Sequence, residues 1–222
     1  MKTFFLILFL AVAGVHLVMC LLENEKFRKI TKPMLMSTLI LYYLTAADPI
    51  VLLLLIALLT SLMGDILLIP MGEKWLTAGG VFFLASHIIY ILLYFPGISF
   101  PKVRWYVVIP VVIVYLLAAF LVIRLIKDTT PKSMLGGLYL YLVINTVMNT
   151  FALMQLMSLK NTGALLAFFG AICFFASDCI LFVVRYYKKK EKLWKGAFLV
   201  MLTYLAAQFL ITQGMLMNMG MH

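Results

Sequence analysis

The sequence predicts an all-α membrane bundle of eight transmembrane helices forming one integral membrane domain over residues 1–222. Three observations predict it. Hydrophobic residues make up 65% of the chain and charged residues 12%, against about 45–50% and about 25% in a soluble domain. Apolar windows recur near the ~20 residues that cross a bilayer core, with short polar breaks between them. Positive charge also concentrates in alternate breaks, as it does on the cytoplasmic face of membrane proteins.

The windows fall at about 3–22, 33–47, 50–70, 75–95, 105–126, 134–158, 162–187 and 194–216. The first resembles a signal peptide, but its apolar core is too long, no small-residue cleavage site follows, and Met19 before Cys20 spoils a lipoprotein signal. The second is the shortest. It opens at Lys32 and Pro33, where proline suits a first turn, and ends at a tight Asp48-Pro49 turn in "AADPI". The third, "LLTSLMGDILLIP", carries Asp65. On the fourth, His87, Tyr90 and Tyr94 form one stripe. The fifth rests on apolar length alone. The sixth has Asn145 and Asn149, and the eighth Tyr204 and Gln208, both pairs at i, i+4. The seventh, "GAICFFASDCILFVV", places Gly170, Phe174, Ser177 and Asp178 on one side, the glycine allowing close approach of a neighbour.

Charge sets the orientation. All of the 18 Lys and Arg except Lys2, Lys102, Arg104 and Lys160 lie at alternate breaks, so those breaks are expected in the cytoplasm and both termini outside. The run "RYYKKKEKLWK" then anchors topology beside anionic headgroups. No aromatic-interleaved groove accompanies it, so net charge +10 does not indicate a nucleic-acid partner. Cys20, Cys173 and Cys179 lie in apolar runs without metal-ligand spacing and read as small buried hydrophobes.

Of the eight acidic residues only Asp65 and Asp178 fall inside apolar windows. At 1.5 Å rise per residue both are on the order of 7–15 Å from the basic end. Their separation is close to half the chain, and a charged break with "EK" follows each, which points to a four-plus-four duplication. An intramembrane carboxyl costs several kcal/mol unless paired or neutral and is a functional candidate by default. The asparagines, Gln208 and the tyrosines read equally well as interhelical glue, and His16, alone on its helix, as structural.

Two neighbouring carboxyls in low dielectric share a proton, which supplies an acid and a base. Three reaction classes use such a pair on membrane substrates: peptide hydrolysis, hydrolysis of acid-labile ethers or glycosides, and proton-coupled transport. An intramembrane aspartyl protease needs Gly-x-Gly-Asp and Pro-Ala-Leu; Leu62 stands where the first glycine should be, and no Pro-Ala-Leu occurs. A zinc hydrolase needs several histidines, and with His222 at the tail only His16 and His87 remain. No metal or cofactor is expected.

"TKP" (31–33), "GDILLI" (64–69), "GGVFFLASHIIY" (79–90), "GAICFFASD" (170–178) and "TYLAAQ" (203–208), in that order on eight apolar segments, resemble the YhhN family of lysoplasmalogenase-like membrane proteins. Asn145 and Asn149 match no part of the family pattern. The resemblance spans nearly the full chain and implies a protein of the bacterial inner membrane. The implied reaction hydrolyses the vinyl ether of a lysophospholipid, the lysoplasmalogen, to a fatty aldehyde and glycerophospho-ethanolamine or -choline. On this reading Asp65 and Asp178 are the catalytic acid and base, in either order. His87 and Tyr90 hold water or a carboxyl, Asn145, Ser177, Tyr204 and Gln208 line the pocket, and Lys32 receives the headgroup phosphate. The rival reading is a proton-coupled carrier of lipids or small molecules that uses the same acids as a relay.

Overall fold

A computed structural model describes residues 1–70, 72–187 and 195–219. Eight α-helices account for most of the described residues: α1 (Lys2–Leu21), α2 (Glu25–Ala46), α3 (Leu52–Leu67), α4 (Glu73–Tyr94), α5 (Trp105–Ile126), α6 (Lys132–Leu159), α7 (Thr162–Tyr186) and α8 (Gly196–Met219). By length and composition six of these, α1 and α4 to α8, are long and apolar enough to cross a membrane. α3 is a shorter apolar helix of 16 residues. The "KKKEKLW" part of the predicted lysine anchor, residues 188–194, lies outside the described residues.

α2 departs from expectation. It starts at Glu25, two turns before Pro33, because Asn24 caps it by accepting a hydrogen bond from Phe27 N at 3.3 Å and Glu25 suits the positive end of the helix dipole. Pro33 is therefore inside the helix rather than at its first turn. Hydropathy misplaced this start because Lys26, Arg28, Lys29 and Lys32 occupy the first two turns. The Asp48-Pro49 turn is present as a cis bond, tied to α2 by Tyr43, whose hydroxyl donates to Val51 O (2.9 Å) and accepts from Val51 N (2.8 Å).

The polar stripes all face inward: His87, Tyr90, Tyr94, Asn145, Asn149, Tyr204 and Gln208 are buried. Apolar side chains cover the outside, with α5 exposing Ile109, Val114, Phe120 and Leu121. Where lipid surrounds such a bundle, burying apolar surface gives little drive to assemble, so close packing at small residues decides which helices pair. α7 meets α8 this way. A Cβ on Gly170 would lie 2.7 Å from Ile211 Cγ1 and 2.9 Å from Ala207 O. α3 meets α4 similarly at the level of the first carboxyl, where a Cβ on Gly64 would lie 2.7 Å from the Phe83 ring.

Gly170→Leu is expected to lower stability by about 1–3 kcal/mol, the usual cost of overpacking. Gly136→Leu, whose added Cβ meets nothing within 4 Å, should leave stability unchanged or slightly raised. Thermal unfolding of the two variants in detergent checks the contrast.

Candidate functional site

The two aspartates stand at the centre of separate side-chain clusters. Asp65 on α3 is only 2% exposed. Its Oδ2 accepts a hydrogen bond from Tyr204 of α8 at 2.7 Å, and its Oδ1 is 3.4 Å from Lys32 Nζ of α2. Lys32 reaches down from the basic end with its stem along the helix, so its ammonium meets the carboxylate while remaining partly open to a cavity above.

Asp178 on α7 is likewise buried. Its Oδ2 accepts from Tyr141 (2.9 Å) and Asn145 (2.7 Å), one helical turn apart on α6. Asn149, a further turn along, donates to Asn145 Oδ1 at 2.9 Å and accepts from Tyr115 of α5 at 3.0 Å. The chain runs one way, from phenol to amide to amide to carboxylate. It fixes the Asn145 amide with its NH2 toward Asp178. Asn149, without a role in the sequence reading, is thus a support for Asn145.

His87 of α4 completes this cluster. Its Nδ1 bonds the Phe83 carbonyl one turn back. A carbonyl only accepts, so Nδ1 carries a hydrogen. The other nitrogen, Nε2, lies 3.3 Å from Asp178 Oδ2. That nitrogen is buried and has no hydrogen-bond partner, so imidazole and carboxyl stand close without a bond between them.

Aromatic rings link the two clusters. Phe174 of α7 has its ring centroid 4.6 Å from that of His87 and 5.6 Å from that of Tyr204, and Phe83 is 5.8 Å from Tyr204. On the side of α3 away from the basic end, Tyr90 donates to Gln208 Oε1 (2.7 Å), Gln208 donates to Ser61 (3.0 Å), and Ser61 pairs with Ser86 (2.8 Å). Tyr94 stacks on Tyr90, its buried hydroxyl unpaired.

Of the residues singled out in the sequence, Lys32 and Tyr204 gather at Asp65, and Asn145 and His87 at Asp178. Tyr90 and Gln208 join a third network. Ser177 instead donates to Val200 O of α8 at 3.1 Å. Tyr141 was missed, although it extends the Asn145–Asn149 stripe by one turn. His16 pairs with Thr31 at 2.7 Å and lines a cavity of about 390 Å³ at the basic end, together with Arg28, Lys29, Lys32 and Arg185. Among the described residues no group of three or more His, Cys, Asp or Glu side chains could hold a metal ion.

If Lys32 neutralises Asp65, Lys32→Met leaves a buried charge with one partner and should cost about 1–3 kcal/mol of stability. Asp65→Asn should cost less in the Lys32→Met background than in the parent chain, and a double-mutant cycle by thermal unfolding reads this coupling. Strictly additive losses would mean that the two groups do not interact.

Compared with known proteins, the chain matches the YhhN family over residues 27–215. No curated protein and no solved structure matches it.

Proposed function

The chain belongs to the YhhN family, and on that premise we propose that it is a membrane-embedded hydrolase of the vinyl ether bond of lysoplasmalogens, working by aspartate acid–base chemistry without a metal. All eight helices cross the bilayer in this reading, with the basic end cytoplasmic and both termini outside. The observation that carries it is the pair of buried carboxyls with unlike partners, one against an ammonium and one beside an imidazole, a phenol and an amide.

A vinyl ether resists base and yields to a proton on its β-carbon. The π electrons form the new C–H bond, and the α-carbon becomes an oxocarbenium ion. Water adds to that carbon and gives up a proton to a carboxylate, producing a hemiacetal. Collapse of the hemiacetal breaks the bond to the glycerol oxygen, which takes a proton, and releases the aldehyde. One ether and one water become one aldehyde and one alcohol.

In this reading Asp178 donates the first proton, with the His87 imidazole 3.3 Å away to return one. Asp65 is the anion of this reading, the ammonium of Lys32 and the phenol of Tyr204 favouring its charged form, and it stabilises the cation that forms. The rings of Phe83, Phe174 and Tyr204 between the carboxyls present π faces to the same positive charge. Tyr141 and Asn145 hold Asp178 in place, and Asn145 keeps its orientation through Asn149.

Asp65→Asn and Asp178→Asn are each expected to lower aldehyde release from a purified lysoplasmalogen at least about 100-fold, the lower range of a general acid–base contribution. Size-exclusion profiles of the variants should match the parent. Activity retained in either would remove that residue from the mechanism. Lipid moved across vesicles without any aldehyde formed would favour a carrier.

A further inference from the structure

A second cavity, of about 750 Å³, runs along α4 and α6 and is lined mostly by apolar side chains, among them Val81, Leu84, Leu138 and Leu140. Its volume falls in the range of about 300–1,000 Å³ typical of small-ligand sites. It is open sideways, for Val81 and Leu140 are 59% and 54% exposed on the outer surface of the bundle. Tyr141, Phe83 and Phe182 form its inner wall, so its floor is the wall of the Asp178 cluster.

Two glycines mark this groove. A Cβ on Gly80 or on Gly137 would meet nothing within 4 Å, so helix packing does not call for glycine at either position, unlike at Gly64 or Gly170. What their missing side chains leave is the groove itself. Its neighbour is the basic cavity under Arg28, Lys29, Lys32 and Arg185, and Leu68, Leu76 and Leu181 line both. A charged hollow and an apolar groove thus share one partition, and Lys32 and Tyr141, which hold the two carboxyls, line one each.

We infer that the α4–α6 groove holds the single hydrocarbon chain of a phosphate-headed lipid that enters sideways from the bilayer, while the phosphate is held in the basic cavity. This rests on the function proposed above and adds the chain's position and entry route to it. The basic cavity sets Arg28, Lys29, Lys32 and Arg185 against one acid, Glu25, which matches an anionic head, and the groove, apart from Glu73 and Lys74, is lined by uncharged, mainly aliphatic side chains that match one chain.

The test uses the full-length protein in vesicles and a saturated 1-alkyl-glycerophosphocholine with a photoreactive diazirine at the chain end. Having no vinyl ether, this probe labels whether or not the protein hydrolyses anything. The expected adducts fall on residues 73–84 and 133–141. The unlabelled parent lipid should compete at least tenfold better than the alkyl alcohol of equal length. Gly80→Leu and Gly137→Leu should cut groove labelling at least fivefold; should either variant fail to fold, the map of adducts on the parent chain still decides. Equal labelling of the lipid-facing side of α5, or equal competition by the alcohol, would mean ordinary contact with bilayer lipid and would overturn the inference. Groove labelling without aldehyde release from a lysoplasmalogen would sink the proposed reaction and leave the inference standing, and aldehyde release without groove labelling would do the reverse.

Discussion

A carboxylate cannot lie unpaired in an apolar bundle, and that constraint organises the middle of this protein. Leaving such a charge uncompensated costs several kcal/mol, so each aspartate draws partners from two other helices. Lys32 comes from α2 and Tyr204 from α8 to Asp65. Tyr141 and Asn145 come from α6 and His87 from α4 to Asp178. In both cases the donors lie on the helix before the aspartate and on the last helix of the opposite half. The spacing also repeats, since Lys32 precedes Asp65 by the same 33 residues by which Asn145 precedes Asp178. Arg28 stands as far before Asp65 as Tyr141 before Asp178, by 37 residues. This is the pattern that a four-plus-four duplication would leave.

The same spacing places different chemistry before the two aspartates. A cation faces the first carboxyl and an amide the second. An ammonium keeps a carboxylate charged. An amide and a phenol hold it by hydrogen bonds without a countercharge. Under the proposed reaction, the difference between acid and anion lies in the partners rather than in the aspartates themselves. The same reasoning explains why Asn149 and Tyr115 matter at a distance: they turn the Asn145 amide so that its donor end reaches Asp178.

Much of the bundle was legible because hydropathy measures what a bilayer demands, and seven of the eight predicted windows coincide with helices to within a few residues. α2 was the exception, since a charged helical start that lines a cavity looks like a loop to a hydropathy window. Inward-facing stripes were also legible, because a 3.6-residue period places His87 with Tyr90 and Tyr204 with Gln208 whatever their neighbours. The identity of those neighbours was not. A sequence gives depth along a helix but not its rotation about the bundle axis. Nothing in it could assign His87 to Asp178 rather than Asp65, or turn Ser177 toward α8 while Asp178, next in sequence, faces α4 and α6. Likewise, glycines with no packing role became visible only when their surroundings could be compared with those of Gly64 and Gly170.

The central claim is that a buried side chain places a proton on carbon. Turnover of a lysoplasmalogen in D2O by the purified protein, with the aldehyde trapped by reduction and examined by mass spectrometry, tests it most directly. One deuterium on the carbon next to the former carbonyl, and an unlabelled glycerol backbone, is the predicted result. Aldehyde without deuterium at that carbon, or formed at the same rate by the Asp65→Asn, Asp178→Asn double variant, would contradict it.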